Sequence, residues 1–219
     1  MERQTRGEPD ERFERLRAAA LARLEGVEPA HDALHVERVM ASARRIATVE
    51  GADVAVCETA ALLHELFNYP KSHPESARSG EVCAEHATRL LREHGHDEAF
   101  VARVAYCIAV HSFSRGIMPA TLEGKVLQDA DRLDAIGAIG IARCFATSAE
   151  MKRPFYSPDD PFCRTREPND KDWGIDHFYR KLLRIGDGLH TATARAIAAE
   201  RIAFMRAFLD QLARELPAK

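Results

Sequence analysis

The sequence lacks any run of about 20 apolar residues, the length that a membrane-spanning helix needs. Residues 1–15 are polar and charged, so they also lack the apolar segment of a signal peptide. There is no excess of positive charge, because 31 Lys and Arg stand against 34 Asp and Glu, for a net charge of −3. Nucleic-acid binding favours a basic surface. We therefore expect a cytoplasmic protein that binds neither a membrane nor a nucleic acid.

Cysteine pairs with the spacing of a redox motif or a zinc ribbon are missing as well. The sequence has five cysteines, an odd number, and no two of them form a CxxC pair. Four of the five fall inside apolar patterns of helical period. This pattern predicts small buried hydrophobic side chains in a reducing compartment, rather than disulfides or a zinc site.

Runs of β-branched residues, which favour strands, are scarce, whereas alanine is abundant. Apolar residues recur at spacings of three and four almost throughout, which predicts an all-α protein. We predict helices at about 11–24, from near His31 to Gly51, and at about 54–67, 75–93, 97–111, 122–149 (one helix or a short pair), 176–185 and 191–216. The length suits a single domain over residues 1–219, with a helical core at about 20–150 and a C-terminal helical extension at about 174–216.

One stretch, residues 152–173, has no helical period. It contains four prolines and many charged residues. Long irregular segments in compact domains are often lids or binding loops. We expect an irregular excursion here, and a binding role and a passive surface role are both open.

Histidines and carboxylates occur where the pattern otherwise predicts core. His35 lies beside the apolar stripe of the second helix, and His64-Glu65 close a third helix that is apolar on nearly every side. Residues 127–134 place Asp129, Asp131 and Asp134 in a further core-like segment. Burying several carboxylates is costly unless a positive charge compensates them. Because imidazoles and carboxylates are suitable ligands for first-row divalent ions, the combination predicts a metal site.

The order of these residues resembles the HD superfamily of metal-dependent phosphohydrolases. It is most similar to the YedJ/YpgQ-like branch, whose members are small, all-helical and nucleotide-directed. The resemblance covers the chain from about residue 20 to the end. The matching stretches are HDALHVERV (31–39), ALLHELFNYPK (61–71), HSFSRG (111–116), KVLQDADRLDAIGAIGIAR (125–143), HFYRKLLRI (177–185) and ERIAFMRAFL (200–209). It implies an HD-domain helical bundle.

The resemblance also implies a set of ligands for one divalent ion. These ligands are His35, His64, Glu65 and Asp131, and Mn, Mg, Fe, Co, Ni and Zn all remain candidates for the ion. Asp129, as a ligand in place of Asp131, stays open. The family carries Asp at the position of Glu65, so metal affinity, metal identity and rate are open at this position.

Such an ion would activate a water molecule and neutralise charge on a phosphoryl group. We therefore expect hydrolysis of a phosphomonoester or pyrophosphate bond, with a nucleotide as the small-molecule substrate. Candidates for contacts to the phosphate are Arg38, Lys71, His111 and, less favoured, Arg132. Asp134 could orient the water as a general base, or contact a sugar hydroxyl.

Two other functions remain open. Some HD proteins hold two metals, and His86 and His111 could supply the added histidines. A dinuclear site with iron would permit oxygenase chemistry, although the polar neighbours of His86 favour a surface position. The second alternative is a non-catalytic nucleotide-binding protein, which Glu65 would suit. A homo-oligomer is compatible with either function.

Overall fold

This computed structural model describes residues 11–24, 32–70, 72–112 and 116–217. Within these residues, the regular secondary structure consists of helices. The all-α prediction is confirmed. The α-helices are α1 (Glu11–Ala22), α2 (Ala33–Glu50), α3 (Val54–Leu63), α4 (Ser79–Glu93), α5 (Glu98–Val110), α6 (Leu122–Asp134), α7 (Gly137–Glu150), α8 (Asp176–Arg180) and α9 (Ala192–Glu215). Two 3₁₀ helices span Ser76–Arg78 and Leu182–Gly188. Within the described residues, no helix is both long and apolar enough to cross a bilayer.

Side-chain caps start several of these helices where the sequence has Asp or Thr. Asp32 accepts a hydrogen bond from the backbone N–H of His35, and Asp53 accepts from two N–H groups of α3. Thr191 caps α9 in the same way. Such caps satisfy the N–H groups that the first turn of a helix leaves unpaired. The cap of α2 fixes the backbone of His35.

The core lies between α2, α3, α5 and α6. Helix α2 packs against α3 and α6, and α3 packs against α5. The predicted stripe of α2 is buried: Val36, Val39, Met40, Ala43 and Ile46. Because α2, α3 and α6 meet in this core, polar side chains on their facing surfaces are brought together out of water.

Helix α3 ends at Leu63, four residues earlier than the sequence predicts. The imidazole Nδ1 of His64 donates to the carbonyl of Ala61, at 2.6 Å. The thiol of Cys83, on α4, donates to the carbonyls of Leu63 and His64. These contacts satisfy carbonyls at the end of the helix. His64 and Glu65 therefore lie in the turn after α3, rather than in its last turn.

The segment predicted as one helix or a short pair over residues 122–149 is a pair. Gly137, the first residue of α7, has a φ of 80°, a left-handed conformation that residues other than glycine rarely adopt. At Gly140, a Cβ would collide with the backbone carbonyl of Ala135. The two glycines thus allow α7 to turn back closely onto the end of α6.

The predicted irregular excursion is present between α7 and α8. Arg166 pairs with Asp176, whose side chain is fully buried, and the backbone N–H of Asn169 donates to the same carboxylate. Arg153 donates to the hydroxyl of Ser148 and to the carbonyl of Asp170. These contacts fasten the excursion to α7 and α8.

The cysteines follow the prediction. Cys57, Cys83, Cys107 and Cys144 are buried free thiols, and Cys163 is partly buried. Burial raises the pKa of Cys57, Cys83 and Cys107 to about 12, so these thiols are protonated and unreactive at neutral pH.

Candidate metal centre

Helix α2, the turn after α3 and helix α6 bring His35, His64 and Asp131 to one point. The Nε2 atoms of the two histidines are 3.3 Å apart. The Oδ1 atom of Asp131 lies 3.6 Å from Nε2 of His35 and 4.0 Å from Nε2 of His64. The ligand atoms of all three residues lie within 4.8 Å of one another. Both imidazoles are buried, whereas the Asp131 side chain is 32% exposed, so the point is open to solvent on the side of Asp131.

Glu65 adds a second carboxylate to this point. Its Oε1 atom lies 3.8 Å from Nε2 of His35 and 3.7 Å from Nε2 of His64. Its side chain is 8% exposed. The structure therefore brings together all four residues that the resemblance implies as ligands.

Each imidazole is oriented by a hydrogen bond from Nδ1, the ring nitrogen that faces away from this point. Nδ1 of His64 donates to the Ala61 carbonyl, and Nδ1 of His35 lies 2.7 Å from Oδ2 of Asp134. A nitrogen that donates to an oxygen carries the proton, so the lone pair of each ring is on Nε2. Burial lowers the pKa of His64, which keeps this imidazole neutral. Both rings thus present an acceptor nitrogen to the common point.

Asp134 lies behind His35 and is enclosed by donors. Besides the His35 imidazole, it accepts from Nε and Nη2 of Arg38, at 2.7 and 3.0 Å, and from Nη1 of Arg143, at 2.9 Å. Burial alone would raise the pKa of Asp134, but the hydrogen bonds from His35 and Arg38 outweigh it and hold the pKa well below its usual range. Since both oxygens are occupied, Asp134 is placed to orient His35 rather than to act as a free general base.

The donor set fits a first-row divalent ion. Ligand atoms that are each about 2.1 Å from one ion lie roughly 3.0 to 3.6 Å from one another. The two nitrogens are 3.3 Å apart, and an oxygen of each carboxylate lies 3.6 to 4.0 Å from both of them, so small side-chain adjustments would bring the two nitrogens and either carboxylate onto one ion. Two neutral imidazoles with two carboxylates are the ligand chemistry that such ions accept.

The predicted phosphate-binding residues differ in their surroundings. The ring of His111 stands edge-on to that of His64, with centroids 5.5 Å apart, and its Nδ1 donates to the carbonyl of Ile108. The Arg38 guanidinium is close to the site but is held by Asp134. Arg132 donates to the carbonyls of Gly188 and Ile185, which is a contact to the C-terminal extension. Lys71 lies outside the described residues.

Asp129 faces away from the two histidines. Its buried carboxylate accepts from the backbone N–H groups of His190 and Thr191 and from the Thr191 hydroxyl. It therefore holds the start of α9. The carboxylate of Asp131, two residues later, lies near the Nε2 atoms of both histidines.

His86 does not join this centre. Its ring stacks on Phe67 with centroids 5.3 Å apart, and burial lowers its pKa. Across the described part of the chain, the group of three or more potential metal ligands consists of His35, His64 and Asp131, without His86.

Sequence reasoning missed Arg143 and Gln128. The Gln128 amide donates to the carbonyls of Val110 and Ile117, which flank the segment that begins with His111. Arg143 stands in a matching stretch of the sequence, but nothing in its spacing indicates a contact with Asp134. The glycines at 137 and 140 were the available signal, because they permit a close helix pair.

Comparison with known proteins gives consistent results. The HD domain family model matches residues 33–136. The uncharacterized protein YpgQ of Bacillus subtilis is 37% identical over 191 residues, which cover 85% of each chain. A crystal structure of YpgQ in complex with ADP superposes with a TM-score of 0.73 at 34% identity, covering 95% of this chain and 96% of that one.

A further crystal structure is described as an HD-superfamily hydrolase from Bacillus thuringiensis. It superposes with a TM-score of 0.76 at 32% identity and covers 95% of this chain and 98% of its own. These matches extend well beyond the segment that the family model covers, into the C-terminal helices. The chain therefore belongs to the HD superfamily and shares the fold of YpgQ and of the Bacillus thuringiensis hydrolase.

Proposed function

We propose that this protein is a phosphohydrolase that uses one divalent metal ion to cleave a phosphomonoester or pyrophosphate bond of a nucleotide. The ion is held by His35, His64, Glu65 and Asp131. One observation carries the proposal: two acceptor Nε2 atoms and an Asp131 oxygen, from α2, the turn after α3 and α6, lie within 4.8 Å of one another. Buried imidazoles and carboxylates at this spacing have a clear use as ligands of one cation.

The relatives support the class of substrate and of reaction. A structure of YpgQ contains ADP, and a related structure is described as a hydrolase of this superfamily. A nucleotide carries the phosphate groups that a divalent ion polarises. A divalent ion held here would activate water and offset negative charge on the phosphoryl group.

The residues around the ligands have separable tasks. Asp134 accepts a hydrogen bond from Nδ1–H of His35, which leaves Nε2 as the unprotonated ring nitrogen and fixes the plane of the ring. His111, oriented by the Ile108 carbonyl, offers its Nε2 beside the His64 ring to a water or a phosphate group. The partly exposed side of Asp131 is where we expect the substrate to enter.

A phosphate-release assay tests the proposal. Purified protein is incubated with a panel of nucleoside mono-, di- and triphosphates and with Mn²⁺, Mg²⁺, Co²⁺ or Ni²⁺, and free phosphate and pyrophosphate are measured. We expect turnover of at least one nucleotide, and its loss by about 100-fold or more in His64→Ala, because the variant lacks a ligand.

The matched control is His94→Ala. His94 also donates from Nδ1 to a backbone carbonyl near the end of a helix, at 2.8 Å, but it lies outside the site. His94→Ala should keep its activity. Full activity in His64→Ala would contradict the proposed site.

Two outcomes would favour the other functions. Nucleotide binding without turnover with any of these ions would indicate a non-catalytic binding protein. Two bound ions per chain, with one lost in His86→Ala, would indicate a dinuclear centre. We expect one ion per chain, because the described residues supply one such ligand group.

A further inference from the structure

Arg143, on α7, contacts the carboxylate that supports the candidate metal centre. Its Nη1 atom lies 2.9 Å from Oδ2 of Asp134 and 3.5 Å from the backbone oxygen of the same residue. Oδ2 is also the atom that accepts from Nδ1 of His35, at 2.7 Å. One oxygen therefore joins the arginine of α7 to a histidine of α2.

The fold brings Arg143 to this position through the tight connection of α6 and α7. Asp134 is the last residue of α6, and α7 begins three residues later at Gly137. Gly140 lets the first turn of α7 lie against the Ala135 carbonyl, where a Cβ would collide. Arg143, one turn further on, is thus directed back toward Asp134.

The two arginines act on Asp134 from different helices. Arg38 lies on α2 together with His35, and its contacts alone leave the carboxylate tied only to α2. Arg143 ties the same carboxylate to α7. With both present, the Asp134 carboxylate is held from two directions, and its orientation relative to the His35 ring is fixed.

We propose that Arg143 is a positioning residue for the metal centre. It fixes Asp134 so that Asp134 holds His35 as the Nδ1–H tautomer, with Nε2 directed at the ion. This inference rests on the proposed function insofar as it concerns a bound ion. Mutation of a residue that holds a metal ligand in place commonly weakens metal affinity by roughly 10- to 100-fold.

The direction in which cation affinity changes when Arg143 is replaced distinguishes a positioning role from a simple electrostatic one. Arg143 is a positive charge near a proposed cation site, so its removal would on charge alone strengthen cation binding. Loss of positioning acts in the opposite direction. Weaker binding after removal of the charge is therefore the signature of a positioning role.

Calorimetric titration with Mn²⁺ provides the first test. We expect Arg143→Met to bind Mn²⁺ about tenfold more weakly than the wild type. Arg143→Lys, which keeps one charged donor, should recover part of this loss. Should Arg143→Met fail to fold, Arg143→Gln is measured in its place, with the same expected direction.

The matched control is Arg153→Met. Arg153 follows the end of α7 and is also partly buried, but it donates to Ser148 and to the Asp170 carbonyl instead of to the centre. Its loss should leave the Mn²⁺ affinity within about twofold of wild type. Unchanged or tighter Mn²⁺ binding in Arg143→Met would overturn the inference.

A second measurement needs no metal. Long-range ¹H–¹⁵N NMR spectra of the metal-free protein, at a mildly alkaline pH, report which nitrogen of His35 carries the proton. We expect the Nδ1–H form in the wild type and a mixture of tautomers in Arg143→Met. A wild type that binds no Mn²⁺ would refute the proposed function, whereas an unaltered His35 tautomer in Arg143→Met would refute the role of Arg143.

Discussion

Glu65 stands at the position where the resemblance to the superfamily implies Asp. Its carboxylate comes from the turn after α3 and reaches to 3.7 and 3.8 Å from the two Nε2 atoms. The helix ends at Leu63, so the backbone at Glu65 is not fixed by helical hydrogen bonds on both sides. A turn of this kind can adjust to a side chain that is one methylene shorter or longer.

We therefore predict that Glu65→Asp keeps its Mn²⁺ binding and retains or raises any hydrolytic activity. Glu65→Gln, which keeps the length and removes the charge, should bind Mn²⁺ about tenfold more weakly or worse. Calorimetric titration of the wild type, Glu65→Asp and Glu65→Gln with Mn²⁺ measures these affinities. Equal losses in both variants would mean that the length of Glu65, and not only its charge, determines the site.

At the scale of secondary-structure elements, the pair α6 and α7 carries Asp131, Asp134 and Arg143. Its close approach depends on Gly140, where a Cβ would overlap the Ala135 carbonyl. Helix propensity alone predicts that Gly140→Ala stabilises the protein by about 1 kcal/mol.

We predict the opposite sign, because overpacking costs about 1 to 3 kcal/mol and outweighs propensity. Urea unfolding of Gly140→Ala should show a lower free energy of unfolding than that of the wild type. Since the change also displaces Arg143, Mn²⁺ affinity should fall with it. A stabilised Gly140→Ala variant would show that α7 does not depend on this close contact.

Helix boundaries show where local sequence is sufficient. The predicted starts of α3 and α9 and the end of α2 at Gly51 agree with the structure, because caps such as Asp53 and Thr191 and a terminal glycine act within a few residues. The end of α3 at Leu63 was predicted wrongly. The thiol of Cys83, twenty residues away in sequence, donates to the carbonyl of Leu63, and such a tertiary contact leaves no local signal.

At the scale of the whole molecule, Asp176 anchors the irregular excursion. Its buried carboxylate is paired with Arg166, which is partly exposed, and accepts the N–H of Asn169. Burial by itself would raise the pKa of Asp176, but Arg166 and the N–H of Asn169 lower it. A carboxyl group whose pKa is lower in the folded state stabilises the protein above its unfolded pKa, and this contribution is lost as the pH falls through the folded pKa.

We predict that Asp176→Asn lowers the free energy of unfolding by about 2 kcal/mol at neutral pH. This is less than the roughly 3 to 5 kcal/mol of a fully buried pair, because solvent partly screens Arg166. The difference from wild type should shrink below about pH 4, where the unfolded carboxyl begins to bind protons. Urea unfolding of both proteins at several pH values measures this difference in free energy of unfolding. A difference that does not change with pH would rule out the ion pair as the cause of the lost stability.

The sequence predicted the helical architecture, the superfamily and the residues that meet at the centre. Helical periodicity predicted the architecture, whereas the superfamily and the ligand set were implied by the resemblance of the matching stretches taken together. The sequence did not distinguish the roles of Asp129 and Asp134, because both are buried carboxylates of one helix. Their partners, α9 for one and His35 with two arginines for the other, are set only by how distant helices pack. The single-domain organisation stays a prediction.

The central claim is that four side chains, from α2, the turn after α3 and α6, bind one cation. Anomalous diffraction from crystals soaked in Mn²⁺, recorded near the manganese absorption edge, tests this claim most directly. The account predicts one strong peak per chain, within coordination distance of His35, His64, Glu65 and Asp131. A peak elsewhere, or none between the two Nε2 atoms and Asp131 in crystals that contain Mn²⁺, would contradict it.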